Sequence, residues 1–181
     1  MLPQFSGSRY FCEDESRFGL HTLVGRLISA CGIKPLGQWQ WKFQTFWLYG
    51  AVEPASGEHF FWQFSHVDTD CYQRFLEQFS PAYAETLNIL QVDNGLFHKA
   101  KRLRVPDNII LLFQPPHSPE LNPIERWWEH LKRDLKWGLF SDLKQLQEKV
   151  DELIDALTPP QVASITGYSF ILDALSVADI L

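Results

Sequence analysis

Three acidic residues stand where the pattern of the chain changes character. Asp93 closes a mostly apolar run, residues 87–93 (LNILQVD), and the turn residues Asn94 and Gly95 follow it. A carboxylate that ends a buried strand must be solvated, capped by its own turn or bound to a cation, and ligands of open α/β sheets gather beyond the carboxyl ends of strands. Asp14 ends an aromatic-rich strand pattern, residues 9–14 (RYFCED). Alternation puts Tyr10, Cys12 and Asp14 on one face and Phe11, Glu13 and Glu15 on the other. Glu125 comes 32 positions after Asp93, in the run Asn122-Pro123-Ile124-Glu125. That run reads as a helix start, with Asn122 as N-cap, Pro123 at the first helical position and Glu125 where a capping-box acid belongs. Glu125 also lies at the edge of the apolar stripe Ile124, Trp128, Leu131 and Leu135, beside Trp128 and Lys132, where an acid can face a crevice. Local pattern leaves both roles open.

Taken singly, each acid has a plain explanation: a turn acid, a surface charge run and a helix cap. Taken together they describe a cation site. Three gathered carboxylates repel one another by ~4 kcal/mol per pair at about 4 Å with an effective dielectric of about 20. Oxygen-only donors with open positions suit Mg²⁺ or Mn²⁺, and two such ions ~3.5–4 Å apart can activate a water and stabilise the leaving oxygen of a phosphodiester.

Strands at residues 9–14 and about 18–23 are expected to hold Asp14. A β-hairpin follows, from residues 45–52 (TFWLYGAV) and 59–64 (HFFWQF) across the turn EPASGE. Tyr72, Phe75, Leu76 and Phe79 recur at helical spacing over residues 70–79. Residues 87–93 and 108–113 form a parallel pair across a short basic helix at about 97–104. Helical patterns then cover residues 124–137, 141–157 and 161–175, separated by Gly138 and by Pro159-Pro160. The expected fold is α/β, a mixed five-stranded sheet flanked by helices with a helical C-terminal tail.

Composition bounds the function. The 181 residues fit a single domain, and no apolar run reaches the ~18 residues of a membrane span, so a soluble, cytoplasmic protein is expected. Cys12, Cys31 and Cys71 are an odd number without C-x-x-C spacing, which disfavours a disulfide framework and a zinc ribbon and points to reduced, semi-buried thiols. The net charge of −6 disfavours a general basic surface for nucleic acid. Its distribution is uneven: residues 1–97 carry −4, residues 98–137 carry +3 and residues 138–181 carry −5. Four cations fall at Lys99, Lys101, Arg102 and Arg104. Phosphate contacts are sought there, with a solvated surface as the alternative. The tryptophans, Trp39, Trp41, Trp127 and Trp128 among them, are expected mainly in the core.

The strings DNGLFHKA (residues 93–100) and PPHSPELNPIERWW (residues 115–128), with DESRF at residues 14–18 and SGEHFFW at residues 56–62, resemble the mariner-like superfamily of DDE transposases in its bacterial insertion-sequence branch. The resemblance covers nearly the whole chain and implies an RNase H-like catalytic domain. It implies that Asp14, Asp93 and Glu125 bind the Mg²⁺ or Mn²⁺ pair. It further implies that water cleaves a phosphodiester at a transposon end and that the freed 3′-hydroxyl then attacks target DNA. Asn94 and His98 match the motif after the second acid, where they would orient the site or touch DNA, and His117 stands where many members carry tyrosine. With Lys99, Lys101, Arg102 and Asn122, these are the candidates for supporting or DNA-contacting residues. The family's N-terminal helix-turn-helix region has no counterpart here, so a catalytic domain alone is expected. Its partners would be double-stranded DNA at transposon ends and target, a companion DNA-binding polypeptide and a second copy in a homodimer, with no membrane and a bacterial, nucleoid-associated location. An RNase H-like nuclease, or a non-catalytic remnant that binds DNA or a partner chain, is the alternative.

Overall fold

The computed structural model describes residues 5–26, 28–116 and 118–180. Strands β1 (Ser8–Gly19), β2 (Thr45–Val52) and β3 (His59–Phe64) form an antiparallel meander. Helix α1 (Thr69–Ala82) follows, and β4 (Leu87–Val92) and β5 (Ile109–Phe113) join the far side of β1 in parallel, giving the order β3-β2-β1-β4-β5. Four helices complete the chain: α2 (Ile124–Asp134), α3 (Leu143–Asp155), α4 (Pro159–Thr166) and α5 (Ser169–Val177). The mixed five-stranded sheet is the one expected.

Side-chain alternation divides two cores. Phe11, Tyr49, Leu90 and Val92 pack beneath the sheet on Tyr72, Phe75, Leu76 and Phe79 of α1. Tyr10, Cys12, Phe18, Phe46 and Leu48 point the other way, onto Trp127, Trp128 and Leu131 of α2, with Leu146, Val150, Val162 and Leu175 of the later helices behind them. Burial at roughly 25 cal/mol per Å² of apolar surface makes the two-faced pattern the main determinant of the sheet. The start of α1 is fixed by Asp68, whose carboxylate accepts from the Cys71 N–H at 2.7 Å. Asp68→Ala is expected to lower stability by about 1 kcal/mol, measured as the shift in urea midpoint.

Four expectations change. The strands at 9–14 and 18–23 are one strand, because Ser16 and Phe18 continue the inward alternation without a turn, so Asp14 lies inside β1. No basic helix forms at 97–104; that stretch makes isolated turns, among them Lys99 N–H to Leu96 and Leu103 N–H to Ala100. Few residues and crowded like charges do not repay helix nucleation, and Pro106 follows. The helical pattern at 161–175 splits into α4 and α5 at Gly167. Finally, Trp127 and Trp128 are buried, whereas Trp39 and Trp41 are 45% and 72% exposed beside His21 and Phe43, in the long β1–β2 connection. All three cysteines are free, Cys12 and Cys71 buried and Cys31 exposed. Among the described residues no helix is long and apolar enough to cross a membrane.

Candidate active site

The parallel ladder between β1 and β4 ends at Cys12 opposite Gln91. Asp14 and Asp93 each stand two residues further on, so the same register carries both acids to one level at the carboxyl end of that ladder. Beyond Cys12, β1 pairs only with β2, and Asp14 lies opposite Gly50. A Cβ at position 50 would run into the Phe61 ring and the Trp128 indole. That absent side chain lets α2 lie close, and the Trp128 indole N–H donates to Asp14 Oδ2 at 2.9 Å.

Asn122 docks the start of α2 on β1. Its amide donates to the Glu13 carbonyl at 3.0 Å and its Oδ1 accepts weakly from the Ile124 N–H at 3.4 Å. The Asn122 N–H is taken by the Pro119 carbonyl at 2.9 Å, so the capping-box bond that would have occupied Glu125 has no donor left. Glu125 makes no capping bond and lines a cleft of about 470 Å³ together with Asp14, Asp93, Asn94, Gln114, Ser118 and Asn122. The three carboxylates surround the cleft without all falling within 4.8 Å of one another. Because Asn122 is buried and bonded on both sides, Asn122→Ala is expected to cost about 1–3 kcal/mol, read from chemical denaturation.

Charge in the cleft is unbalanced. Burial first, then Glu15 and Glu125, push the Asp14 carboxyl up to about 8, and the Trp128 bond offsets only part of this. Burial also raises Glu125, opposed by Lys132. Asp93 is held low, mainly by His98 and then by the Gly95 N–H, which donates at 2.6 Å. Buried His98 would resist protonation, but Asp93 at 2.9 Å and Glu15 at 3.3 Å outweigh burial and push it up to about 9. An oxygen-only donor set in which Asp93 is already ionised and Asp14 and Glu125 resist ionisation until a cation arrives fits Mg²⁺ or Mn²⁺.

The supporting candidates divide. Asn94 borders the cleft, donates to the Gln114 carbonyl at 2.6 Å and accepts from Lys99. His98 is 3% exposed beneath the sheet, bonded to Asp93 and Glu15 and turned away from the cleft surface. Lys99 rests over the Phe113 ring, Arg102 pairs with Asp70 on α1 at 3.1 Å, and Lys101 is exposed; none of the three lines the cleft. His117 lies outside the described residues. The Trp128 bond to Asp14 and the paths of Glu13 and Glu15 to His98 escaped the sequence reading. The three-residue spacing of Trp128 from Glu125 was the available signal for the first.

A family model described as DDE superfamily endonuclease matches residues 9–147, a span that includes all three acids. The chain belongs to the DDE superfamily endonucleases. Over 87 residues the chain is 34% identical to an uncharacterized protein, y4pE/y4sA, of Sinorhizobium fredii (strain NBRC 101917 / NGR234), covering 48% of the chain and 64% of that protein. Its fold matches the Mos1 transposase paired-end complex with left transposon end at TM-score 0.68 and 15% identity, over 87% of this chain and 51% of the other. The Mos1 strand transfer complex gives TM-score 0.70 and 18% identity, over 87% and 50%. A Mos1 mariner paired-end complex with Mn gives 0.65 and 16%, over 96% and 56%. The shared architecture is the RNase H-like sheet. The chain spans about half the length of these solved relatives.

Proposed function

We propose that this DDE endonuclease is the catalytic domain of a transposase, cutting DNA at the ends of a bacterial insertion sequence and joining the freed 3′-hydroxyl to target DNA. The observation that carries the reading is the single cleft lined by Asp14, Asp93 and Glu125 at the end of the parallel ladder. It is supported by the family model that spans all three acids and by the Mos1 structures, which were solved with a transposon end, as a strand transfer complex, and with Mn or Mg.

Asp14, Asp93 and Glu125 would hold the Mg²⁺ or Mn²⁺ pair, which when bound supplies Lewis-acid stabilisation and makes water acidic enough to attack. The chain's own residues prepare these ligands. Trp128 grips Asp14 by Oδ2, and His98 and the Gly95 N–H both grip Asp93 by Oδ1. Each acid thus keeps its other oxygen for a cation, at an orientation set before DNA arrives. Lys132, half-buried with its ammonium over the Phe18 ring, stands near Glu125 and Asp14 and offsets part of their charge.

The acidic balance of the chain suits a domain whose DNA affinity comes from elsewhere: a helix-turn-helix region, a companion polypeptide or a second copy. Incubating the protein with Mg²⁺ and a labelled transposon-end duplex should yield a nicked strand and then a joined product with target plasmid. Cleavage of an RNA–DNA hybrid with no action on DNA would overturn the reading.

A further inference from the structure

Directly beneath the cleft, on the opposite face of β1, lies a second group of ligating side chains that the catalytic reading does not use. Glu13, Glu15 and His98 each present one ligand atom within 4.8 Å of the other two. Their side chains are 0%, 6% and 1% exposed. Glu13 is the anomaly: neither of its carboxylate oxygens has a hydrogen-bond partner among the described residues, yet Oε2 is aimed at His98 Nε2 from 3.6 Å. The Tyr72 hydroxyl is likewise buried and without a partner, and its ring packs on His98 with centroids 4.3 Å apart. An unpartnered buried carboxylate is among the costliest groups a fold can carry, and its presence calls for a proton or an ion.

We infer that Glu13, Glu15 and His98 form a buried site for a Zn²⁺-class ion on the α1 side of the sheet, distinct from the cleft. The spacing fits: donors ~2.0–2.2 Å from a tetrahedral ion stand ~3.3–3.6 Å apart. His98 Nε2 lies 3.3 Å from Glu15 Oε1 and 3.6 Å from Glu13 Oε2. The other ring nitrogen fits as well. His98 Nδ1 faces Asp93 Oδ1 at 2.9 Å, and a metal-ligating histidine normally donates its free N–H to a carboxylate. Two carboxylates and a neutral imidazole cancel a dication, and the imidazole donor selects Zn²⁺, Co²⁺ or Mn²⁺ over Mg²⁺. Such an ion ties β1 to the turn after β4 and holds the ring that orients Asp93.

The test uses the whole chain carrying Asp14→Asn and Glu125→Gln, which strips two ligands from the cleft and leaves the buried group intact. The protein is unfolded in chelator, refolded with Zn²⁺ or Co²⁺, dialysed and analysed by metal mass spectrometry. One ion per chain should remain, and the Co²⁺ form should show the intense visible absorption of four-coordinate cobalt. The Mn²⁺ form should show nitrogen hyperfine coupling that an oxygen-only cleft cannot give. In the Asp14→Asn/Glu125→Gln chain, chelator should also lower the Tm by several degrees, and adding Glu13→Leu, which removes a buried ligand, should abolish that shift. A folded double variant that retains no ion and whose Tm ignores chelator, or a retained ion without nitrogen coupling, overturns the inference. The overturned case is the protonated one, with a neutral Glu13 beside a cationic His98. No readout involves DNA cleavage, so the transposase reading stands or falls separately.

Discussion

Glu125→Gln and Asp14→Asn are each expected to reduce Mg²⁺-dependent DNA nicking by at least ~10³-fold, since a lost ligand charge removes several kcal/mol of transition-state stabilisation and ~4 kcal/mol corresponds to that factor. Both substitutions keep size and hydrogen-bonding capacity. The amide oxygen left by Asp14→Asn would still accept from the Trp128 indole, and position 125 makes no cap that could be broken. Without metal the two variants should be as stable as the parent or slightly more so, because each removes a carboxylate that burial and its neighbours already disfavour. Glu129→Gln, one turn along α2 and outside the cleft lining, should nick normally. A gel assay on supercoiled plasmid and a thermal melt separate chemistry from folding. Undiminished nicking by Glu125→Gln would remove the basis for the catalytic assignment.

Trp127→Ala is expected to be the most destabilising single change, at about 3–5 kcal/mol. Trp127 is fully buried and stacks against Phe61 at 5.5 Å and His59 at 6.0 Å, on the sheet face that α2 covers. Its removal leaves a cavity beneath the helix that carries Glu125, and the melting temperature should fall by roughly 2–4 °C per kcal/mol lost. Its neighbour behaves differently. Trp128→Phe preserves most of the apolar volume but deletes the donor to Asp14. That variant should melt within a few degrees of the parent, nick about 10–100-fold more slowly, and need more Mg²⁺ for half-maximal rate. Equal effects on melting and on Mg²⁺ dependence at both positions would show that neither tryptophan serves the cleft specifically.

Much of this architecture was written locally. The β2–β3 hairpin, the amphipathic face of α1 and the apolar β4 were legible because each depends on a periodicity of two or of three and four within a few residues. Asp93 and Glu125 were legible as candidates for a similar reason: one follows a buried strand, the other opens a helix, and the motif strings around them are specific, whereas Asp14 lies inside β1 and was legible from its motif string. Where the reading failed, energy came from partners distant in the chain. Residues 8–19 are one strand because β4 pairs with its first half and β2 with its second. Residues 97–104 stay in turns because cations without an apolar stripe gain nothing from a helix. Trp39 and Trp41 are exposed although their type suggested burial.

The role of Glu125 shows the division most clearly. Residues 122–125 alone are equally compatible with a capping box and with an acid facing a cleft, since both need an acid at the same offset from Asn122. Only tertiary contact decides: the Asn122 amide is drawn to the Glu13 carbonyl, 109 positions away, and its N–H to Pro119, which leaves Glu125 uncommitted. Periodicity and motif thus determined which acids were candidates. Their meeting was decided by sheet register and helix docking, because these energies arise between segments that no local window contains.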